Sequence, residues 1–357
     1  MEMTHNVGEA QLFAPFCSLA KGPNNGEKEP QVRSIFVTEY GGPEALEMRN
    51  VPAPEPGAYD VRVRVVASGV NYADIMQRNG LYPGGPKPPF GAGFEASGVI
   101  EKVGDGVGGW KAGDAVACFC DSGYSEYVVA KAAQLLAKPP QLNFQQAAAI
   151  PCQYLTAYHA LCTLGKLAEG QTVLIHAAAG GLGTMMVQIA KNRGAQVIGA
   201  CGADEKCSLV AGLGCDYPVN YRREDLPARV REILRGAGCD LVVESVGGDM
   251  TARALRCLKP RGMLVTLGAA SKQPAMISSV ELLAHNWIVA GFHLFAYTED
   301  TNAMMQAVQS LHQWLEEDKL TVIVNHALPL EEAARVHEMV ENRQTTGKVV
   351  LTTGYQP

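Results

Sequence analysis

The stretch Thr172-Val-Leu-Ile-His-Ala-Ala-Ala-Gly-Gly-Leu-Gly-Thr-Met-Met-Val-Gln-Ile-Ala-Lys constrains the fold more than any other part of this chain. An apolar, β-prone run enters a turn of alanine and glycine, and a segment with helical spacing of apolar residues leaves it. The turn fits the dinucleotide pattern G-x-G-x-x-G, with Ala178 in the first place followed by Gly180 and Gly183. Gly180 lets backbone come close to a pyrophosphate, and Gly183 lets the helix pack close to the strand. The phosphate charge then meets unpaired amides and the positive end of the helix dipole. Glycine-rich turns are common, so the weight lies in the context: this one follows a strand directly and opens a helix.

The surrounding sequence supplies that context. Strands are expected at 172–176, 196–200, 240–244 and 263–267. Helices are expected at 182–193, 205–212 and 250–258, the last ended by Lys259-Pro260. Such alternation predicts an α/β fold with a parallel, doubly wound sheet. Earlier residues read differently. Val61, Val63 and Val65 alternate with Arg62, Arg64 and Val66, and short strands at 33–38, 98–103 and 114–118 are broken by Gly and Pro. This predicts a mostly β unit up to about residue 140. Asn143 caps a helix start, and 154–164 repeats apolar residues at helical spacing. Helices at 303–317 and 330–341 and a strand at 348–352 read as completion of the first unit. Residues 1–31 show neither period, and 22–30 reads as a solvated linker.

Composition narrows the function. Of 357 residues, 47% are hydrophobic and 18% charged, which suits a globular protein with a large core rather than a disordered chain. Thirty Lys and Arg against 36 Asp and Glu give a net charge of −6 without a basic block, so nucleic acid is not an expected partner. The ten cysteines form no Cys-x-x-Cys pair and read as reduced thiols. No apolar run reaches the length of a membrane span, and residues 1–30 lack leader or transit-peptide character. A cytoplasmic protein with no membrane partner is expected.

The second strand of the alternating region selects the cofactor. An NAD site ends this strand with a carboxylate for the ribose 2′-OH, which would repel a 2′-phosphate. Here Cys201 and Gly202 stand at the strand end. Asp204 lies too far on and reads as a cap for the next helix. Lys206 can reach a phosphate as a point charge, although alone it would read as a solvated helix residue. NADPH is therefore expected.

These residues occur together with GGPEALE (41–47), SGVNYAD (68–74), NGLYPGG (79–85), PVNYRRED (218–225), ESVGG (244–248) and TTGKVVL (345–351). The set resembles the zeta-crystallin-type quinone oxidoreductases, in the zinc-free branch of the medium-chain dehydrogenases/reductases. The resemblance implies a GroES-like β-rich catalytic domain, 33–152 and 292–357, with a Rossmann domain, 153–291, inserted in it. Residues 1–32 have no counterpart and read as an extension. It also implies that Thr156, Gly181, Leu182, Gly202, Lys206 and Tyr221 surround the phosphates and adenosine. Ser245, Leu267, Ala269, Phe292, Leu294 and Lys348 would lie toward the nicotinamide. Tyr221 has its own rationale, since ring and hydroxyl can flank a 2′-phosphate, and equally reads as a half-buried strand tyrosine.

Zinc-using relatives carry a cysteine where this chain has Asn71, and Gly-His-Glu where it has Gly93-Phe-Glu, so no metal is expected. A quinone or an α,β-unsaturated carbonyl accepts hydride at carbon without one, because the charge delocalises onto oxygen. The protein must then position the acceptor, exclude water and offer hydrogen-bond donors. Asn71 and Tyr82 are the candidates, and the resemblance makes Tyr82 a proton donor in enoyl reduction. Asn71 also reads as a turn asparagine and Tyr82 as a cleft wall. Two alternatives stand: reduction of carrier-bound or CoA enoyl thioesters, and a cofactor-binding structural or RNA-associated protein without catalysis. The apolar run 287–295 matches a strand that often pairs across a two-fold axis in the family, so a homodimer is expected, although the run reads equally well as a buried internal strand.

Overall fold

The structure is a computed structural model that describes residues 30–357. The first strand, Gln31–Val37, begins two residues ahead of the expected start; the rest of the expected extension and linker lies outside the described residues.

Six parallel strands form the central sheet, in the spatial order Tyr217–Asn220, Gln196–Cys201, Thr172–His176, Cys239–Glu244, Leu258–Thr266 and Ile288–Gly291. Every residue of Thr172–His176 is buried, as a central strand covered on both faces requires. Chain order reverses between Thr172–His176 and Cys239–Glu244, which opens a crevice at the carboxyl ends of the strands where ligands of such sheets bind.

A second sheet of seven strands uses both flanks of the chain. Asp60–Val70 lies between Glu95–Val103 and the late strand Lys348–Thr352, with Val349 opposite Val70 and Thr352 opposite Ala67. The 348–352 strand thus joins the same sheet as the early strand Asp60–Val70. The alternation seen there is the burial pattern: Val61, Val63 and Val65 are buried, and Arg64 is exposed. A three-stranded sheet, Leu46–Pro52, Gln31–Val37 and Phe90–Gly91, adds to this unit.

Two details differ from the sequence reading. The helix expected over 250–258 is Asp249–Leu255, and Lys259-Pro260 lie inside the strand Leu258–Thr266. Proline is tolerated there because the pairing with Cys239–Glu244 shifts register at that point. The helical stretch after residue 149 is not regular α: wide π turns at Ile150–Tyr154 and His159–Leu164 flank a short α turn, Leu155–Tyr158. The first π turn carries Gln153 to the glycine turn.

Candidate active site

A cleft of about 570 Å³ runs between the two large sheets and takes in both the glycine turn and Tyr82. Gly180 is the N-cap of the helix Gly181–Asn192, and no side chain caps the first amides. A Cβ at Gly183 would run into the carbonyl oxygens of Ala177 and Ala178, and one at Gly181 into the Gln153 carboxamide. Ala177, rather than Ala178, adopts the left-handed conformation of the turn, with φ 50°. The Gly347 amide donates to the Ala179 carbonyl at 2.9 Å, which ties the turn to the strand that follows. Two lining residues hold buried polar atoms without a hydrogen bond among the described residues, Gln153 Oε1 and His176 Nε2, while His176 Nδ1 lies 3.7 Å from the buried Glu244 carboxylate. Bare amides and Cβ-free approach together fit a dinucleotide pyrophosphate.

Gly202 follows the second strand and packs under Tyr221; a Cβ there would lie 2.7 Å from the phenol oxygen. Lys206, Arg222 and Arg343 line this end of the cleft. Lys206 donates to the Arg343 carbonyl at 2.7 Å. Burial, reinforced by the two guanidiniums, pushes its ammonium below the ordinary lysine value, so an anion placed here relieves an existing cost. Asp204 does not cap the helix. Ala203 is the N-cap, and the Asp204 carboxylate accepts from Asn220 Nδ2 at 2.6 Å and pairs with Arg223 at 2.6 Å.

Thr156, Leu182, Ser245, Leu267, Phe292 and Leu294 also line the cleft. Ala269 does not; it lies between the lining residues Gly268 and Ala270, and its carbonyl accepts from the Lys272 amide at 2.8 Å. Lys348 does not line the cleft either. Its side chain is 1% exposed, and its ammonium donates to Glu95 Oε1 at 2.5 Å and Asn71 Oδ1 at 2.9 Å. Asn71 Nδ2 donates to the same Glu95 oxygen at 2.6 Å, and the Cys152 amide donates to the other at 2.8 Å. Lys348 therefore acts on the cleft through Asn71, fixing the amide in one orientation.

Tyr82 reaches the cleft from the loop after the helix Tyr72–Arg78, and its hydroxyl lies 2.9 Å from His293 Nε2. Burial pushes the phenol up to about 12, with smaller contributions from Cys152 and Asp74. It stays protonated at neutral pH and yields its proton only to a strong base such as an enolate carbon.

Two family models match the chain: "Alcohol dehydrogenase GroES-like domain" over residues 57–140 and "Zinc-binding dehydrogenase" over residues 181–310. The quinone oxidoreductase of Pseudomonas aeruginosa is 37% identical over 323 residues, covering 89% of this chain and 99% of that protein. The chain belongs to the zeta-crystallin-type quinone oxidoreductases of the medium-chain dehydrogenase/reductase superfamily. Within this quinone oxidoreductase family, the Escherichia coli enzyme was crystallised with NADPH. That structure superposes with a TM-score of 0.85 at 33% identity, over 90% of this chain and 99% of the other. A 2-haloacrylate reductase of a Burkholderia species is 35% identical over 331 residues, covering 90% of this chain and 98% of that protein.

Sequence reasoning missed several polar residues that line this cleft. Arg222 stands next to Tyr221 in the 218–225 motif and was within reach of a charge argument. Gln153, His176, His293 and Arg343 carry no local signal, because only the tertiary fold brings them to the cleft.

Proposed function

We propose that the chain is an NADPH-dependent oxidoreductase that reduces quinones and activated alkenes without zinc. The observation that carries this reading is one continuous cleft, with a glycine turn and three cations at one end and a protonated tyrosine among apolar side chains at the other. When bound, NADPH supplies a hydride. Gly180, Gly181 and Gly183 would hold its pyrophosphate, and Lys206, Arg222 and Arg343, with Tyr221, its 2′-phosphate. Phe292, Leu294 and Leu267 present apolar surface near Tyr82 that excludes water from the acceptor.

The residues at the family's zinc positions support metal-free chemistry. Asn71 is held by Glu95 and Lys348, and Phe94 offers no ligand atom. Among the described residues, no group of three or more His, Cys, Asp and Glu is arranged to hold a metal ion. The name of the Burkholderia relative supports an alkene among the acceptors; an enoyl thioester is the extended form of that substrate class. No helix among the described residues is long and apolar enough to cross a membrane.

The test is loss of NADPH absorbance with a quinone, an enal and a crotonyl thioester. Activity with none of them, despite NADPH binding, contradicts the reading. Tyr82 separates the acceptors. Reduction of an alkene leaves an enolate that needs a proton at carbon, whereas a reduced quinone takes protons on oxygen from solvent. Tyr82→Phe is therefore expected to slow alkene reduction about tenfold or more and to spare quinone reduction. Equal losses with both acceptors would remove Tyr82 as the proton donor.

We also propose a homodimer. Ile288–Gly291 is an edge strand of the central sheet, and the adjoining surface exposes Met276 (85%), Val280 (71%), Leu283 (78%) and Ile288 (48%). Paired edges would cover these groups. Light scattering is expected to give twice the chain mass, and Leu283→Glu to shift it toward one chain. A monomeric parent protein contradicts this arrangement.

A further inference from the structure

Tyr82 and His293, 211 residues apart in sequence, meet at the substrate end of the cleft, with Oη 2.9 Å from Nε2. Their ring centroids lie 6.1 Å apart, tilted by 56°. Both line the cleft. We propose that His293 is a positioning residue for Tyr82: its Nε2–H donates to the phenol oxygen, turns the hydroxyl proton toward the acceptor and replaces that proton after each turnover. This rests on the alkene part of the function proposed above.

The direction of the hydrogen bond is the physical content. A ring with bare Nε2 accepts the phenol proton and points it away from the acceptor. A ring carrying Nε2–H donates instead and leaves O–H free to reach carbon. In alkene reduction the hydride adds to one carbon, and the π pair moves to its neighbour and is shared with the carbonyl oxygen. The Tyr82 O–H bond then breaks as the new C–H bond forms. The protonated imidazole gives its Nε2 proton to the phenolate, and the neutral ring takes the next proton from solvent. Each turnover consumes one hydride and one proton.

Burial lowers the His293 value below the usual 6.5 and raises the phenol to about 12, so proton transfer from ring to phenolate runs downhill. Tyr82 faces the ring from the neighbouring loop, and Phe295 packs beside it with centroids 5.7 Å apart. Cys152 and Asp74 act on Tyr82 in turn, and the buried Asp74 carboxyl is pushed up to about 7. Asp74 is present in every variant at position 293, so the comparison between variants isolates the imidazole.

His293→Gln keeps a hydrogen-bonding side chain that cannot titrate. Alkene reduction is expected to fall about tenfold or more. The decline of its rate as pH rises through the His293 value, below 6.5, is expected to vanish, and the loss with an alkene is expected to exceed the loss with a quinone by several-fold. Independently of turnover, labelled-histidine NMR should show the His293 titration moving in Tyr82→Phe. A variant that keeps the alkene rate and pH profile, loses both activities equally, or leaves the histidine titration unmoved by Tyr82→Phe overturns the inference while the function stands. A parent protein that oxidises NADPH with quinones but with no activated alkene overturns the inference together with the alkene part of that function.

Discussion

Lys348→Met is expected to lower the free energy of unfolding by about 3–5 kcal/mol, the usual loss when one partner of a buried ion pair is removed. The ammonium and the Glu95 carboxylate are 1% and 0% exposed, so water cannot take over the lost interaction. Without Lys348, the carboxylate keeps donors from Asn71 and the Cys152 amide but has no countercharge. Glu95→Gln in the same chain removes the stranded charge and should recover much of the loss. Urea denaturation of the two variants measures both effects. A loss below about 1 kcal/mol for Lys348→Met, the range of a surface pair, would show that the carboxylate is solvated or neutral in the folded protein. The knot also has a functional face. Lys348 and Glu95 hold both ends of the Asn71 amide, so Lys348→Met should raise the KM for the acceptor in whatever fraction remains folded.

The second large effect concerns the cofactor. Lys206→Ala combined with Arg222→Ala is expected to weaken NADPH binding by at least about 100-fold, since each hydrogen bond to a charged group contributes about 1.5–3 kcal/mol. NADH, which lacks the 2′-phosphate, should change less than about twofold. The displaced Lys206 ammonium, held below its ordinary value by burial and two guanidiniums, has little to lose when no anion is present. Fluorescence titration of both nucleotides separates the outcomes. Equal weakening of NADPH and NADH would assign the two cations to the shape of the loop rather than to phosphate recognition.

Legibility in the sequence tracks distance along the chain. The glycine turn is local: strand, turn and helix run from Thr172 to Asn192 without interruption, and backbone sterics explain Gly183 there. The parallel sheet was legible for the same reason, because helical and extended periods alternate without long interruptions. Lys348 shows where such reading stops. The 345–351 motif marks it as a functional position, yet its partner Glu95 lies 253 residues away, and nothing local says that the ammonium turns into the wall instead of the cleft. Arg343 and His293 reach the cleft only because the chain after residue 290 returns to complete the first unit. Asp204 failed for a different reason. Its cap role was displaced by Asn220 and Arg223, which arrive on the next strand and its following turn.

The function proposed above requires the adenosine end of the cleft to take a phosphorylated ribose. Equilibrium titration of the unmodified protein with NADPH and with NADH tests it most directly. NADPH is expected to bind at least about tenfold more tightly, the difference that one charged hydrogen bond supplies. NADH bound as tightly as NADPH, or neither bound at all, would contradict the account.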